Sequence, residues 1–211
     1  EKPRGRYVTL EMPSVSVLDE RDTDVIETGA AELRALLPPE GPVLVLGIGN
    51  RRVTADALGP RTAQKILVTM GPQHTRPVAA LAPGVSGDTG LTLRQLAAAM
   101  VDAVRPAALI CVDSLCSAEA ARLGRTIQFS DTGLHPADAR HARHLDAAAL
   151  GVPVIAAGIP TLMDADEGAD LVLTPRALDS VIAHGSALLA GILNRALQPR
   201  LSVAQLCWLT G

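Results

Sequence analysis

Five short apolar runs, each bounded by turn-forming residues, stand out in the pattern of hydrophobic and polar positions. They are continuous and do not alternate between apolar and polar residues, which is typical of strands buried on both faces. We predict one strand in each run, at residues 42–49, 77–84, 107–113, 126–131 and 153–160. The centre of the protein is therefore predicted to be a sheet.

Amphipathic helical patterns lie between these runs. Residues 92–106 repeat apolar positions at the spacing of one helix face, and Pro106 ends the pattern. Similar patterns cover 24–37, 60–70, 140–150 and 175–198, the last with Pro175 as its first helical residue. Strands that alternate with helices predict an α/β fold, with a mostly parallel sheet covered on both faces. In such folds the ligand or substrate meets the carboxyl ends of the strands.

The chain has 211 residues, of which 48% are hydrophobic, enough for one core. We predict a single domain over 1–211, with an N-terminal segment and first helix in 1–40, an α/β core in 41–198 and a C-terminal tail in 199–211. The formal net charge of -3 offers no basic surface for phosphates, so no nucleic-acid partner is expected.

Cysteine usage and apolar segment lengths bear on location. Three cysteines are an odd number without metal-ligand spacing, which favours a reducing compartment over a disulfide framework. No segment has the length and apolarity that we expect of a membrane span, and no leader pattern is visible. We expect a cytoplasmic protein without a membrane partner.

Two aspartates are predicted to meet at the carboxyl edge of the sheet. Asp113 ends one apolar run, and Asp56 follows the turn that Gly47, Gly49 and Asn50 form after another. Two neighbouring carboxylates repel when both are ionised, so the pair can hold one proton near neutrality and supply both a base and an acid. Two simpler interpretations stay open: Asp56 as a helix N-cap, and Asp113 as a strand-end carboxylate bound to main-chain amides.

Other motifs are weaker. The Gly47–Asn50 turn lacks the third glycine of a dinucleotide fingerprint, because Arg52 stands there. The triplet Asp-Thr-Gly occurs at 88–90 and 131–133, as in pepsin-like proteases, but those enzymes are all-β. Of its two aspartates, Asp131 follows a strand and is the better candidate.

The sequence gives little support for a metal site or for a nucleophilic side chain. His135, His141 and His144 lack a zinc-binding motif and suit a solvated helix face, so no metal is predicted. Neither Ser114 nor a cysteine has the sequence context of a nucleophile. The cysteines concerned are Cys111 and Cys116.

Several blocks, in order over most of the chain, resemble one peptidase family. They are GRYVTLEMP (5–13), GIGNRRVTADALGP (47–60), KILVT (65–69), RPVAALAPGVSGDTG (76–90), CVDSLCS (111–117), TIQFSDTGLHP (126–136), LGVPVIAAGIPTLMDAD (150–166) and LVLTPRALD (171–179). The combination is similar to the germination protease (spore protease) family, whose members degrade small acid-soluble spore proteins.

The resemblance carries expectations of its own. It implies a three-layer α/β/α fold similar to hydrogenase-maturation endopeptidases, and an atypical aspartic-type endopeptidase without a cofactor. It assigns the family's two essential aspartates to Asp56 and Asp113. It also implies zymogen processing, a homo-oligomer (a tetramer in the family), and a place in the cytoplasm of the forespore or spore core. Gly47, Gly49, Asn50, Asp131 and His135 are the supporting or substrate-binding candidates.

The chain departs from the family pattern in places. Asp164 and Thr174 stand close together where family members have a much longer stretch, so the chain resembles a compact member lacking part of the usual C-terminal half. Two alternatives to the paired-aspartate endopeptidase therefore remain. One is a metal-dependent maturation-type peptidase in which Asp56 and a histidine hold the ion, and the other is a non-catalytic homologue that binds spore proteins.

Overall fold

The computed structural model describes residues 3–71, 75–135, 144–165 and 171–210. It contains seven strands, with the following bounds: β1 Tyr7–Glu11, β2 Val43–Gly47, β3 Val78–Leu81, β4 Ala108–Cys116, β5 Thr126–Ser130, β6 Val154–Asp164 and β7 Val172–Leu173. The α-helices are α1 Thr23–Arg34, α2 Leu58–Gln64, α3 Ser86–Thr89, α4 Leu93–Val104, α5 Ala147–Leu150, α6 Leu178–Leu197 and α7 Val203–Thr210. Short 3-10 helices span Val15–Val17, Thr54–Asp56 and Ala120–Arg122.

The sheet has the strand order β1-β5-β6-β4-β2-β3, and β7 pairs with the far end of β6. The four strands from β6 to β3 are parallel to one another. By contrast, β5 runs antiparallel to β6, and β1 runs antiparallel to β5. The reversed direction of β5 decides where the residues that follow it lie.

Helices cover both faces of this sheet, which confirms the predicted three-layer α/β/α arrangement. On one face, the apolar residues of α1, α2 and α6 share a buried cluster with the sheet, and Phe129 is among its largest side chains. On the other face, a smaller cluster lies under α4 and includes Leu46, Cys111 and Leu145. The sheet therefore separates two apolar layers, as a strand buried on both faces requires.

The helices follow the sequence pattern closely for α1 and α4. Thr92 begins α4 with a capping box to Gln95, and Arg105 ends the helix in a left-handed conformation. Pro175 is not a helical residue, because α6 begins at Leu178 after a non-helical Ala177. In the predicted helix 140–150 only α5 is a described helix, and 140–143 lies outside the described residues.

The predicted boundaries also miss structure at both ends of the chain. The N-terminal segment contributes β1 to the sheet, and the C-terminal tail contains α7, which buries Val203 and Leu206. Contrary to expectation, α6 has the length and apolarity of a membrane span. Most of its residues are nevertheless buried inside the protein, as in a core helix.

Candidate functional site

Parallel strands β2 and β4 end at different levels of the sheet, and the site forms where they part. Gly47 at the end of β2 pairs with Val112, and Ile48 donates one more main-chain hydrogen bond to the Val112 carbonyl at 2.8 Å. Asp113 is the next residue of β4, and on its other side it pairs with Gly158 of β6. Asp113 therefore stands at the point where β4 continues beyond β2.

The loop after β2 turns back and carries Asp56 to the same edge. Gly49 makes this turn with a φ of 125°, and a Cβ at that position would overlap the main-chain oxygen of Asp56. Asp56 lies in the 3-10 helix Thr54–Asp56. The Thr161 hydroxyl of β6 donates to the carbonyl of Ala55 at 2.9 Å, which ties this short helix to the sheet.

Two close glycine contacts hold α2 against the strand ends. A Cβ on Gly59 would overlap the main-chain oxygens of Ile48 and Val112, and a Cβ on Gly47 would overlap the carbonyl of Gly59. Since neither residue has a side chain, the first turn of α2 packs directly on β2 and β4. Gly47 thus supports the site by close packing and Gly49 by its backbone conformation.

The Asp56 carboxylate is held by the loop itself. Its Oδ2 accepts the main-chain N–H of Asn50 at 2.7 Å. The Asn50 side-chain oxygen in turn accepts the N–H of Arg52 at 2.9 Å. Asp56 does not cap α2, whose N-cap is Ala57 without a side-chain hydrogen bond, so the N-cap interpretation is wrong.

Asp113 is partly buried and electrostatically coupled to Asp56. Burial and, next, the negative charge of Asp56 raise the pKa of Asp113 to about 8. One main-chain amide, that of Ser114, donates to Asp113 Oδ1 at 2.8 Å and opposes the rise. The strand-end interpretation thus accounts for one hydrogen bond of this carboxylate, while its burial and the neighbouring charge favour the protonated form.

Asp131 lies at the opposite ends of the sheet strands from Asp56 and Asp113. Because β5 is antiparallel to β6, its carboxyl end lies beside the amino ends of the parallel strands. Although Asp131 follows a strand, as the sequence predicts, this strand does not bring it to the strand ends where Asp56 and Asp113 lie. Asp131 Oδ1 accepts the main-chain N–H of Arg6 at 2.8 Å, so it anchors the segment that leads into β1.

His135 belongs to the segment that follows Asp131. Its Nε2 lies 2.8 Å from the carbonyl oxygen of Thr132, and its ring meets the ring of His144 edge-on at a centroid distance of 4.9 Å. His141 lies outside the described residues. Among the residues that the structure describes, no group of three or more histidine, cysteine, aspartate or glutamate side chains is arranged to hold a metal ion.

The neighbours of Asp113 on β4 include a thiol and a hydroxyl. Cys111 is fully buried, and burial together with the charge of Asp113 raises its thiol pKa, which disfavours the nucleophilic thiolate. The Ser114 hydroxyl is buried without a hydrogen-bond partner among the described residues. The sequence pattern brought in Ser114 only as a nucleophile candidate, because its position on β4 depends on how far β4 extends beyond β2.

Comparisons with known proteins agree on one family. The model of the family described as germination protease matches residues 1–168. A germination protease of Clostridium perfringens (strain SM101 / Type A) is 33% identical over 261 residues, covering 95% of this chain and 80% of its own length. One of Caldanaerobacter subterraneus subsp. tengcongensis is 41% identical over 181 residues, covering 78% of this chain and 55% of its own length.

The Clostridium alignment is longer than this chain, since it spans 261 residues against 211. The relative therefore has residues without a counterpart here, in line with a compact member. Among solved structures, the [NiFe] hydrogenase maturation protease HycI from Thermococcus kodakarensis KOD1 has a TM-score of 0.50 and 18% sequence identity. The match covers 77% of this chain and 98% of that protein, and it confirms the expected similarity of fold.

Proposed function

Because this chain belongs to the germination protease family, we propose that it is an endopeptidase that degrades small acid-soluble spore proteins during germination. Asp56 and Asp113 form its acid–base pair and act on a water molecule. The observation that carries this proposal is the position of a buried Asp113 near the charge of Asp56: burial and, next, that charge raise the pKa of Asp113 to about 8. At neutral pH the pair then holds one proton, so one carboxyl group can act as a base and the other as an acid.

Their surroundings suggest different roles for the two carboxylates. Asp56 accepts the Asn50 N–H, which stabilises its ionised form, so Asp56 is the base that takes a proton from water. The resulting hydroxide attacks the carbonyl carbon of the peptide bond, and a tetrahedral intermediate forms. Asp113 donates its proton to the leaving amine as the carbon–nitrogen bond breaks. Transfer of the proton from Asp56 to Asp113 restores the starting state.

Asn50 also suits a role at the developing oxyanion. Its main-chain N–H and side-chain oxygen are engaged with Asp56 and Arg52. Its side-chain nitrogen remains as a donor without an acceptor among the described residues. We assign this amide to the intermediate's oxygen or to the substrate carbonyl. Asp131 and His135 stay outside this mechanism, because their hydrogen bonds hold the chain after β5.

The biological setting follows from the family resemblance. Small acid-soluble spore proteins are largely disordered when free, so an extended segment can reach a site at a sheet edge. The enzyme would act in the cytoplasm of the spore core, be made as a zymogen and assemble as a homo-oligomer. The 84% exposed Trp208 on α7 supplies apolar surface for such an assembly.

The experiment is cleavage of a purified small acid-soluble spore protein, read by mass spectrometry, with and without a chelator. Asp56→Asn and Asp113→Asn should each slow cleavage by about a hundredfold or more while the protein stays folded. Asp102→Asn, which removes an exposed carboxylate from α4, is the matched control and should cleave like the parent.

Three outcomes would redirect the assignment. Cleavage by either site variant at the parent's rate would remove that aspartate from the chemistry. Loss of parent activity with chelator, restored by one specific metal, would favour the metal-dependent peptidase. Binding of spore protein without cleavage at any pH would favour the non-catalytic homologue.

A further inference from the structure

The edge of β4 that faces β2 is open beyond Val112. β2 ends at Gly47, whereas β4 continues to Cys116. Over this extension, β6 pairs with the other edge of β4. Within the described residues no strand pairs with β4 on the β2 side beyond Val112, and Asp113 stands where this open edge begins.

The main-chain groups of two residues point to the open edge. In a strand, the N–H and C=O of every second residue face the same side. The Val112 carbonyl faces β2, since it accepts the Ile48 N–H, so the groups of Ser114 and Cys116 face that side as well. The alternation continues past the irregular register after Leu115. The Ser117 N–H donates to the Leu162 carbonyl of β6 at 2.8 Å, so Ser117 faces β6 and Cys116 faces the other side.

These groups are largely unused by the chain itself. The Ser114 N–H turns toward Asp113 Oδ1 at 2.8 Å. The Ser114 carbonyl and both main-chain groups of Cys116 make no hydrogen bond to another described residue. Cys116 is exposed whereas Ser114 is buried, so this edge reaches solvent at its Cys116 end. An edge strand with free donors and acceptors is a template for pairing with another chain.

We propose that the open edge from Ser114 to Cys116 binds an extended segment of the substrate as an added strand. The segment lies beside β4, in line with β2, so that its scissile peptide bond is next to Asp113 and Asp56. This inference rests on the proposed endopeptidase function, because a peptidase must bind a polypeptide main chain beside its catalytic pair. Binding by main-chain hydrogen bonds places few demands on side chains and suits a disordered substrate.

The first test removes the donor at the open edge. Cys116→Pro lacks the N–H that the added strand would use, and Cys116→Ala keeps it. We expect kcat/KM for a purified small acid-soluble spore protein to be about tenfold lower for the proline variant than for the alanine variant. Circular dichroism and size-exclusion chromatography establish that both variants share the parent's fold and oligomeric state. Equal kcat/KM for the two folded variants would overturn the proposal, as would a change confined to oligomeric state.

The second test leaves the protein unchanged. Synthetic peptides spanning a cleavage site mapped by mass spectrometry each carry one N-methyl group, which removes one main-chain donor. An added strand should make cleavage by the parent sensitive to N-methylation at every second position on one side of the scissile bond. Sensitivity without this alternation would contradict strand pairing. If the parent cleaves neither spore protein nor peptides, the proposed function fails; if it cleaves them without alternation, only the strand pairing fails.

Discussion

The main-chain nitrogen of Asn50 lies 2.7 Å from Oδ2 of Asp56, six positions further along the chain, and donates a hydrogen bond to it. This bond closes the loop that leaves β2, and it fixes one oxygen of the carboxylate before any substrate arrives. The other carboxylate, Asp113, is fixed by β4 and by the Ser114 amide. Both acids are therefore held by the backbone of the sheet edge, and this arrangement leads to four predictions.

The first prediction concerns the pH dependence of cleavage. Asp113 has a pKa of about 8 because it is partly buried and lies near the charge of Asp56. As the proposed general acid it must hold its proton, so kcat/KM should fall above about pH 8, by about tenfold for each further pH unit. Rates measured from pH 6 to 10 on one spore protein, with Asp102→Asn in parallel, test this. A flat profile up to pH 10 would mean that the Asp113 proton is not needed.

The second prediction concerns the free energy of unfolding of Asp113→Asn. The folded chain keeps a proton on Asp113 that the unfolded chain releases near pH 4, so the parent loses stability as pH rises from there to about 8. Asparagine does not ionise and is free of this effect. We expect the stability advantage of Asp113→Asn over the parent to grow by about 3 to 4 kcal/mol between pH 5 and pH 8.

Guanidinium unfolding at both pH values measures this difference. The exposed substitution Asp102→Asn should show no comparable growth with pH. A stability difference between Asp113→Asn and the parent that stays constant from pH 5 to pH 8 would contradict a raised pKa for this carboxyl group.

The third prediction concerns the loop turn. Gly49→Ala places a side chain at a φ of 125° and against the main chain of Asp56. It should lower the free energy of unfolding by more than about 1 kcal/mol and reduce kcat/KM by displacing Asp56. Gly87→Ala is the matched control, because its added Cβ meets open space on the exposed helix α3. Equal cleavage by both variants would show that the turn does not position Asp56.

The fourth prediction separates anchoring from chemistry at Asp131. Asp131→Ala removes the acceptor for the Arg6 N–H and should destabilise the protein by about 1 kcal/mol through the segment before β1. Asp131→Asn keeps an acceptor oxygen and should be closer to the parent in stability. Both should cleave spore protein with the parent's kcat/KM. A loss of kcat/KM in a fully folded Asp131→Asn protein would show that Asp131 takes part in the reaction.

Local sequence pattern was sufficient to predict the parallel core strands, because a continuous apolar run identifies a strand buried on both faces. Asp113 follows such a run, but β4 continues past it to Cys116, so the predicted strand ended three residues early. The same pattern does not contain the direction of a strand. Parallel and antiparallel strands of a buried sheet look alike in sequence, so the reversal of β5 and the position of Asp131 could not be predicted.

The elements missed at the chain ends have a different cause. β1 is a half-exposed edge strand whose partner, β5, lies more than 100 residues away in sequence, so no local signal identifies the pairing. α7 is only 8 residues long and buries only Val203 and Leu206. The extension of β4 past β2 depends on a register between strands and is likewise invisible in either strand alone.

The tie between Thr161 and Ala55 has a consequence for how this protein can vary. Asp113 stands on β4, and the 3-10 helix that carries Asp56 is tied to the neighbouring strand β6. The distance between paired strands, about 4.8 Å, is nearly invariant among proteins. Insertions and deletions elsewhere in the chain can therefore occur without changing the distance between the two carboxylates. We therefore expect chains of this fold with a shortened C-terminal half to keep the same spacing between the two carboxylates, and to differ in the surfaces around them.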